Sequence, residues 1–147
     1  MSRTRALLVA VNEVFLAAVA NVLADDARIE VVGSAHSGSE ALQRVESLRA
    51  ELVLVDTTLP DLSGFEVVRR LKARPDAPRV VMLSFCDSRA AQLEAWAAGA
   101  DGYVATSEIA DCLLPLVGDL LRQENQGVRE SHPGITRRRV QPTKVTE

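Results

Sequence analysis

Leu52-Val53-Leu54-Val55-Asp56-Thr57-Thr58-Leu59-Pro60-Asp61-Leu62-Ser63-Gly64-Phe65-Glu66 is the stretch from which the fold is read. Leu52–Val55 is a short, unbroken apolar run, the pattern of a strand buried on both faces of a parallel sheet. It ends abruptly in an acid, Asp56. Ser63-Gly64-Phe65-Glu66 then fits the reciprocal capping box, in which serine and glutamate side chains satisfy the free amides of a helix start. Phe65, Val68 and Leu71 follow at helical spacing. The segment therefore predicts a buried strand, a loop and an amphipathic helix, with a carboxylate at the strand's carboxyl end.

The same unit recurs on both sides. Ala6–Val11, Ile29–Ala35, Arg79–Ser84 and Gly102–Ala105 are further short apolar runs. Between them lie longer stretches with helical period, Val14, Phe15, Ala18, Val22 and Leu23 in the first and Ala41, Leu42, Val45 and Leu48 in the second. Ser37-Gly38-Ser39-Glu40 is a second capping box. Asp87 or Ser88 is expected to cap the fourth helix and Thr106 or Ser107 the fifth. Gly99 falls where a helix-terminating glycine belongs, and Pro115 is expected to kink the fifth helix or delay its start. Strictly alternating elements predict a doubly wound α/β fold, (βα)₅, with a parallel five-stranded sheet and helices on both faces. The helical pattern ends at Arg122, which places one domain over residues 1–124 and a basic, disordered tail over residues 125–147.

Composition agrees with one globular core. The chain has 147 residues, 47% apolar and 25% charged, with mean hydropathy +0.05. With one Trp, one Tyr and three Phe, the core must be built from Val, Leu, Ile and Ala. The net charge of −3 points to no nucleic-acid binder as a whole, but it is unevenly spread. Residues 125–147 carry +3 and the remainder −6. Cys86 and Cys112 form neither a disulfide framework nor a metal-ligand spacing, and read as reduced thiols. Arg3 and Arg5 before Ala6–Val11 imitate a secretory leader, but Asn12-Glu13 interrupts the apolar run. No run reaches membrane-spanning length, so a cytoplasmic protein is expected.

In a doubly wound sheet, ligands and chemistry collect at the carboxyl ends of the strands. That rule selects Ala10 to Glu13, Asp56 to Thr58, Ser84 to Asp87 and Ala105 to Ser107. Asp56 is the one acid closing an apolar run, where it serves either as a strand-terminating cap or as a reactive carboxylate. His36 reads as a surface loop residue and His132 lies in the tail. There is no Ser-His-Asp constellation and no glycine-rich phosphate loop, so no enzyme is indicated.

Asp56-Thr57-Thr58-Leu59-Pro60-Asp61-Leu62-Ser63-Gly64 resembles the phosphorylation-site segment of bacterial response-regulator receiver domains, in which Pro follows the acid by four residues and Gly by eight. Val80-Val81-Met82-Leu83-Ser84 and Ala98-Gly99-Ala100-Asp101-Gly102-Tyr103-Val104 resemble two further segments of that family, in the same order. The resemblance covers about residues 5–122 and implies a flavodoxin-like receiver fold. It further implies that Asp56 is the phosphoacceptor, Ser84 the hydroxyl switch and Tyr103 the coupled aromatic switch. A histidine kinase or other signalling protein would then be the partner, through the face of helix 4, strand 5 and helix 5. Trp96, on helix 4, reads either as an anchor for such a contact or as a residue packed on the sheet.

Two departures fall on the chemically important positions. Where the family has an acidic pair that holds Mg²⁺, this chain has Ala10 and Val11; where it has a lysine, this chain has Thr106. Asp56, the Thr58 carbonyl and Glu13 are the remaining weak metal candidates, so Mg²⁺ binding is expected to be weak or lost. The resulting expectation is a degenerate receiver of the phosphorelay that signals by protein–protein contact. Asp56 would then have a structural role, accepting hydrogen bonds from Ser84 and Thr106. The alternatives are a conventional phosphorylation-dependent single-domain regulator, and a nucleic-acid-associated protein using Arg137-Arg138-Arg139.

Overall fold

The computed structural model describes residues 3–85 and 88–126. Its elements are β1 (Thr4–Val9), α1 (Glu13–Leu23), β2 (Ile29–Ala35), α2 (Gly38–Leu48), β3 (Leu52–Asp56), α3 (Gly64–Lys72), β4 (Arg79–Ser84), α4 (Arg89–Ala98), β5 (Gly102–Ala105) and α5 (Ile109–Gln126). A 3₁₀ turn, Thr106–Glu108, joins β5 to α5. The strands form one parallel sheet in the order β2-β1-β3-β4-β5. The order reverses between β1 and β3, which opens a crevice at their carboxyl ends.

Strand alternation divides the core in two. Ala6, Leu8, Leu52, Leu54, Val81, Leu83 and Val104 face α1 and α5, where Leu16, Val19, Leu113, Val117 and Leu120 meet them. Leu7, Val9, Val53, Val55, Val80 and Met82 point the other way, onto Ala41 and Val45 of α2, Val67, Val68 and Leu71 of α3, and Ala95 of α4. Because both faces are covered, β3 is buried along its whole length. Truncating Leu54 or Leu71 to alanine in such a core costs about 2–5 kcal/mol.

The helix starts are set by side-chain caps. Asn12, Ser37, Ser63 and Ser88 accept from the amides of Phe15, Glu40, Glu66 and Ala91 at 3.0–3.1 Å. Ser88 therefore caps α4; Asp87, the other candidate, lies outside the described residues, as does Cys86. Only half of the expected α3 box forms, because the Glu66 carboxylate is taken by Arg69 and Arg70. Neither Thr106 nor Ser107 supplies a side-chain cap where the chain enters the 3₁₀ turn. Gly99 closes α4 with φ 106°, a left-handed conformation that a side chain would strain.

Three further expectations are corrected. β1 ends at Val9, two residues early, and Asn12 beyond it is taken up in capping α1 through its side chain. The apolar face of α1 is Leu16, Val19 and Leu23, while Val14 is 79% exposed. That helix is apolar nearly all round, so two phases of the helical period fit it equally well. Helix α5 includes Pro115, an exposed residue one turn after the exposed Asp111. Helix α5 also continues to Gln126, beyond Arg122, through Gln123 and Glu124, which are good helix formers. Residues 127–147, the rest of the expected tail, lie outside the described residues.

Candidate functional site

Asp56 closes β3 at the crevice and is 7% exposed. Its backbone is pinned by the following amide, as Thr57 N–H donates to Leu83 O at 3.1 Å across the ladder. The carboxylate Oδ1 accepts from the Thr58 N–H at 3.1 Å. Burial raises the Asp56 pKa above the usual carboxylate value, opposed by the amides of Thr58 and Thr57. Gly64 explains the tightness of the loop behind it. A Cβ there would lie 2.2 Å from the Asp56 carbonyl oxygen, so any side chain would displace the strand end itself.

The other strand ends converge as the order of strands requires. Ser84 is 1% exposed at the end of β4, in register with Ala105, and Asp56 pairs with Leu83. Tyr103 is buried in β5, its ring centroid 6.5 Å from that of Trp96 at 60°. Trp96 is thus packed on the sheet side, against Tyr103. Thr106 is half-buried at the head of the 3₁₀ turn, and Thr58 is exposed. Ala10 is buried and donates its N–H to Ala35 O at 3.0 Å, whereas Val11 is 54% exposed. The Asp56 carboxylate accepts from the backbone amides of its own loop, those of Thr58 and Thr57.

The mouth of the crevice is apolar. Val11, Val14 and Phe85 are exposed, and the Phe15 and Phe85 ring centroids lie 5.8 Å apart with the rings tilted at 40°. Glu13, a further carboxylate among the described residues on this side, is turned elsewhere: its Oε2 lies 2.6 Å from His36 Nε2. Among the described residues, Asp56 and Glu13 are thus not gathered with a third ligand into the several hard oxygens that a divalent cation needs around one point. Among the described residues, no group of three or more His, Cys, Asp or Glu side chains is placed to hold a metal ion.

Two polar residues of this region had no signal in sequence. His36, expected as a bystander, meets Glu13 and, through Nδ1 at 3.7 Å, Glu40. Asp61, itself exposed, sets its carboxylate on the start of α2, accepting from Gly38 N, Ser39 N and Ser39 Oγ at 2.6–3.0 Å. These bonds hold its carboxyl far below the usual carboxylate range. Both contacts join residues 22 or more apart in sequence, brought together because β1 lies beside both β2 and β3.

A family model for the response regulator receiver domain matches residues 6–113. This chain belongs to the receiver family. It acts in two-component signalling, and its (βα)₅ sheet is the family's fold. Among curated proteins, the receiver is 31% identical to a protein-glutamate methylesterase/protein-glutamine glutaminase of Nocardioides sp., over all of this chain and 42% of that protein. It is 37% identical to the DNA-binding transcriptional activator DevR/DosR of Mycobacterium tuberculosis, over 68% of this chain and 46% of the relative. The receiver thus spans less than half the length of these two relatives. A CheY-like receiver domain protein of Methanospirillum hungatei superposes with TM-score 0.70 at 27% identity, covering 86% of this chain and all of that one. Among the described residues no helix is long and apolar enough to cross a membrane.

Proposed function

We propose that this receiver is a degenerate one, whose Asp56 is phosphorylated weakly or not at all, and which signals by protein contact. One feature supports this reading: apolar Ala10 and Val11 follow β1 where the family resemblance expects the metal-binding acids, with Thr106 where it expects the lysine. Phosphoryl transfer depends on positioning and on neutralising oxygen charge by metal and cations. A metal ion supplies several kcal/mol of that neutralisation, and a charged hydrogen bond about 1.5–3 kcal/mol. At about 1.4 kcal/mol per tenfold in rate, losing both slows the step by three or more orders of magnitude.

The partner is a histidine kinase or another signalling protein, and the face offered to it is α4–β5–α5. Leu93 is 52% exposed on that face, while Tyr103 and Trp96 stiffen it from beneath. With the crevice unable to neutralise a phosphoryl group, this face binds in one conformation rather than switching between two.

The test is intact mass after incubation with acetyl phosphate and Mg²⁺. The expected result is little or no added phosphoryl group over a period in which an ordinary receiver is fully modified. Rapid gain of one phosphoryl group, abolished in Asp56→Asn, would overturn the reading and establish the conventional regulator instead.

A further inference from the structure

We propose that side chains, rather than a metal ion, tie together the loops around Asp56, with Asp61 and His36 as the positioning residues. The inference rests on the reading that the Ala10–Val11 crevice does not retain a divalent cation.

Asp61 belongs to the loop between β3 and α3. Its Oδ1 accepts from Gly38 N and Leu62 N at 2.7 Å each, and its Oδ2 from Ser39 N at 3.0 Å and Ser39 Oγ at 2.6 Å. Gly38 and Ser39 open α2, so their amides have no partner within the helix. A carboxylate there satisfies them and meets the positive end of the helix dipole. Asp61 thereby fastens the loop that carries Thr58, whose amide holds Asp56.

The same turn of α2 is fastened on its other side. Glu40 accepts from His36 N at 2.8 Å and faces His36 Nδ1 at 3.7 Å; Arg44 steadies it at 3.0 Å. The far nitrogen of His36 lies 2.6 Å from Glu13, the first residue of α1. Because the two ring nitrogens face different carboxylates, the cluster is a bridge and not a chelate. A continuous path thus runs from Asp56 through Thr58, Asp61, the head of α2 and His36 to the head of α1. It joins the loops after β1 and β3 by going around the crevice, where a metal would join them across it.

Amide hydrogen exchange on the full chain tests this. Asp61→Ala is expected to speed exchange at Gly38, Ser39 and Thr58 about tenfold or more. Asp61→Asn, which keeps an acceptor oxygen, should restore part of that protection, and Val104 in β5 should be unaffected by either. His36→Ala and Glu13→Ala are each expected to speed exchange at Phe15 about two- to threefold, and the double variant no more than either alone. An Asp61→Ala variant that loosens only Gly38 and Ser39 while leaving Thr58 protected would reduce Asp61 to a helix cap and overturn the proposal. Additive effects of His36→Ala and Glu13→Ala would also overturn it. Mg²⁺ added to the wild type separates the two readings: slower exchange at Thr58 would refute the metal-free crevice, while the variants judge the side-chain path.

Discussion

Rebuilding the missing charges should convert this receiver into one that takes up phosphate, and the structure sets the size of each effect. The perturbation is the triple variant Ala10→Asp, Val11→Asp and Thr106→Lys. Ala10 is 1% exposed and packs in the α1/α5 core layer, so an aspartate there is a buried, unpaired charge. Its expected cost without metal is roughly 2–5 kcal/mol. Val11 is 54% exposed, and its replacement costs little, within about 0.5 kcal/mol. Mg²⁺ should return part of the loss, about 1.4 kcal/mol at a free concentration ten times its Kd. Metal and lysine together should then accelerate modification of Asp56 by about a thousandfold or more. The assays are thermal unfolding with and without Mg²⁺, and a time course of intact mass with acetyl phosphate. A triple variant whose Tm ignores Mg²⁺ and whose modification is no faster than the wild type would refute the reasoning.

Three further outcomes follow from local geometry. Burial raises the Asp56 pKa, so its charge opposes folding as pH rises from the unfolded value of about 3.9 through the raised folded one. Asp56→Asn should therefore be more stable than the wild type near pH 7 in urea unfolding, with the gain vanishing below about pH 4. Arg49 closes α2 with φ 54° on an exposed side chain, a conformation glycine adopts without strain. Arg49→Gly should raise stability by about 0.5–1 kcal/mol, read as a higher Tm. Gly64→Ala would place its Cβ 2.2 Å from the Asp56 carbonyl oxygen. It should cost about 1–3 kcal/mol in denaturant unfolding and speed hydrogen exchange at Thr57 and Thr58.

The strands were legible because each is a short apolar run bounded by polar or turn residues. β2, β3, β4 and β5 fall on the runs read from sequence, and β1 is displaced by two residues where Asn12 claims the chain for α1. Helices with a polar side were equally clear: Ala41 and Val45 of α2, and Val68 and Leu71 of α3, are buried as their spacing requires. Helix α1 was not, because Val14, Ala17 and Ala18 are exposed though apolar or small, and periodicity cannot choose a face without polar residues opposite.

By itself the sequence determined the parallel (βα)₅ fold, the placing of Asp56 at a strand end, and Ala10 and Val11 where the family resemblance expects an acidic pair. These depend on local residue patterns and on family-like spacing within single segments. Tertiary structure alone decided what surrounds those positions. It buries Ala10, exposes Val11 and Phe85, turns Glu13 toward His36 and sets Asp61 on the head of α2. The last two are contacts between segments far apart in sequence, and only the order of the strands brings those segments to one end of the sheet.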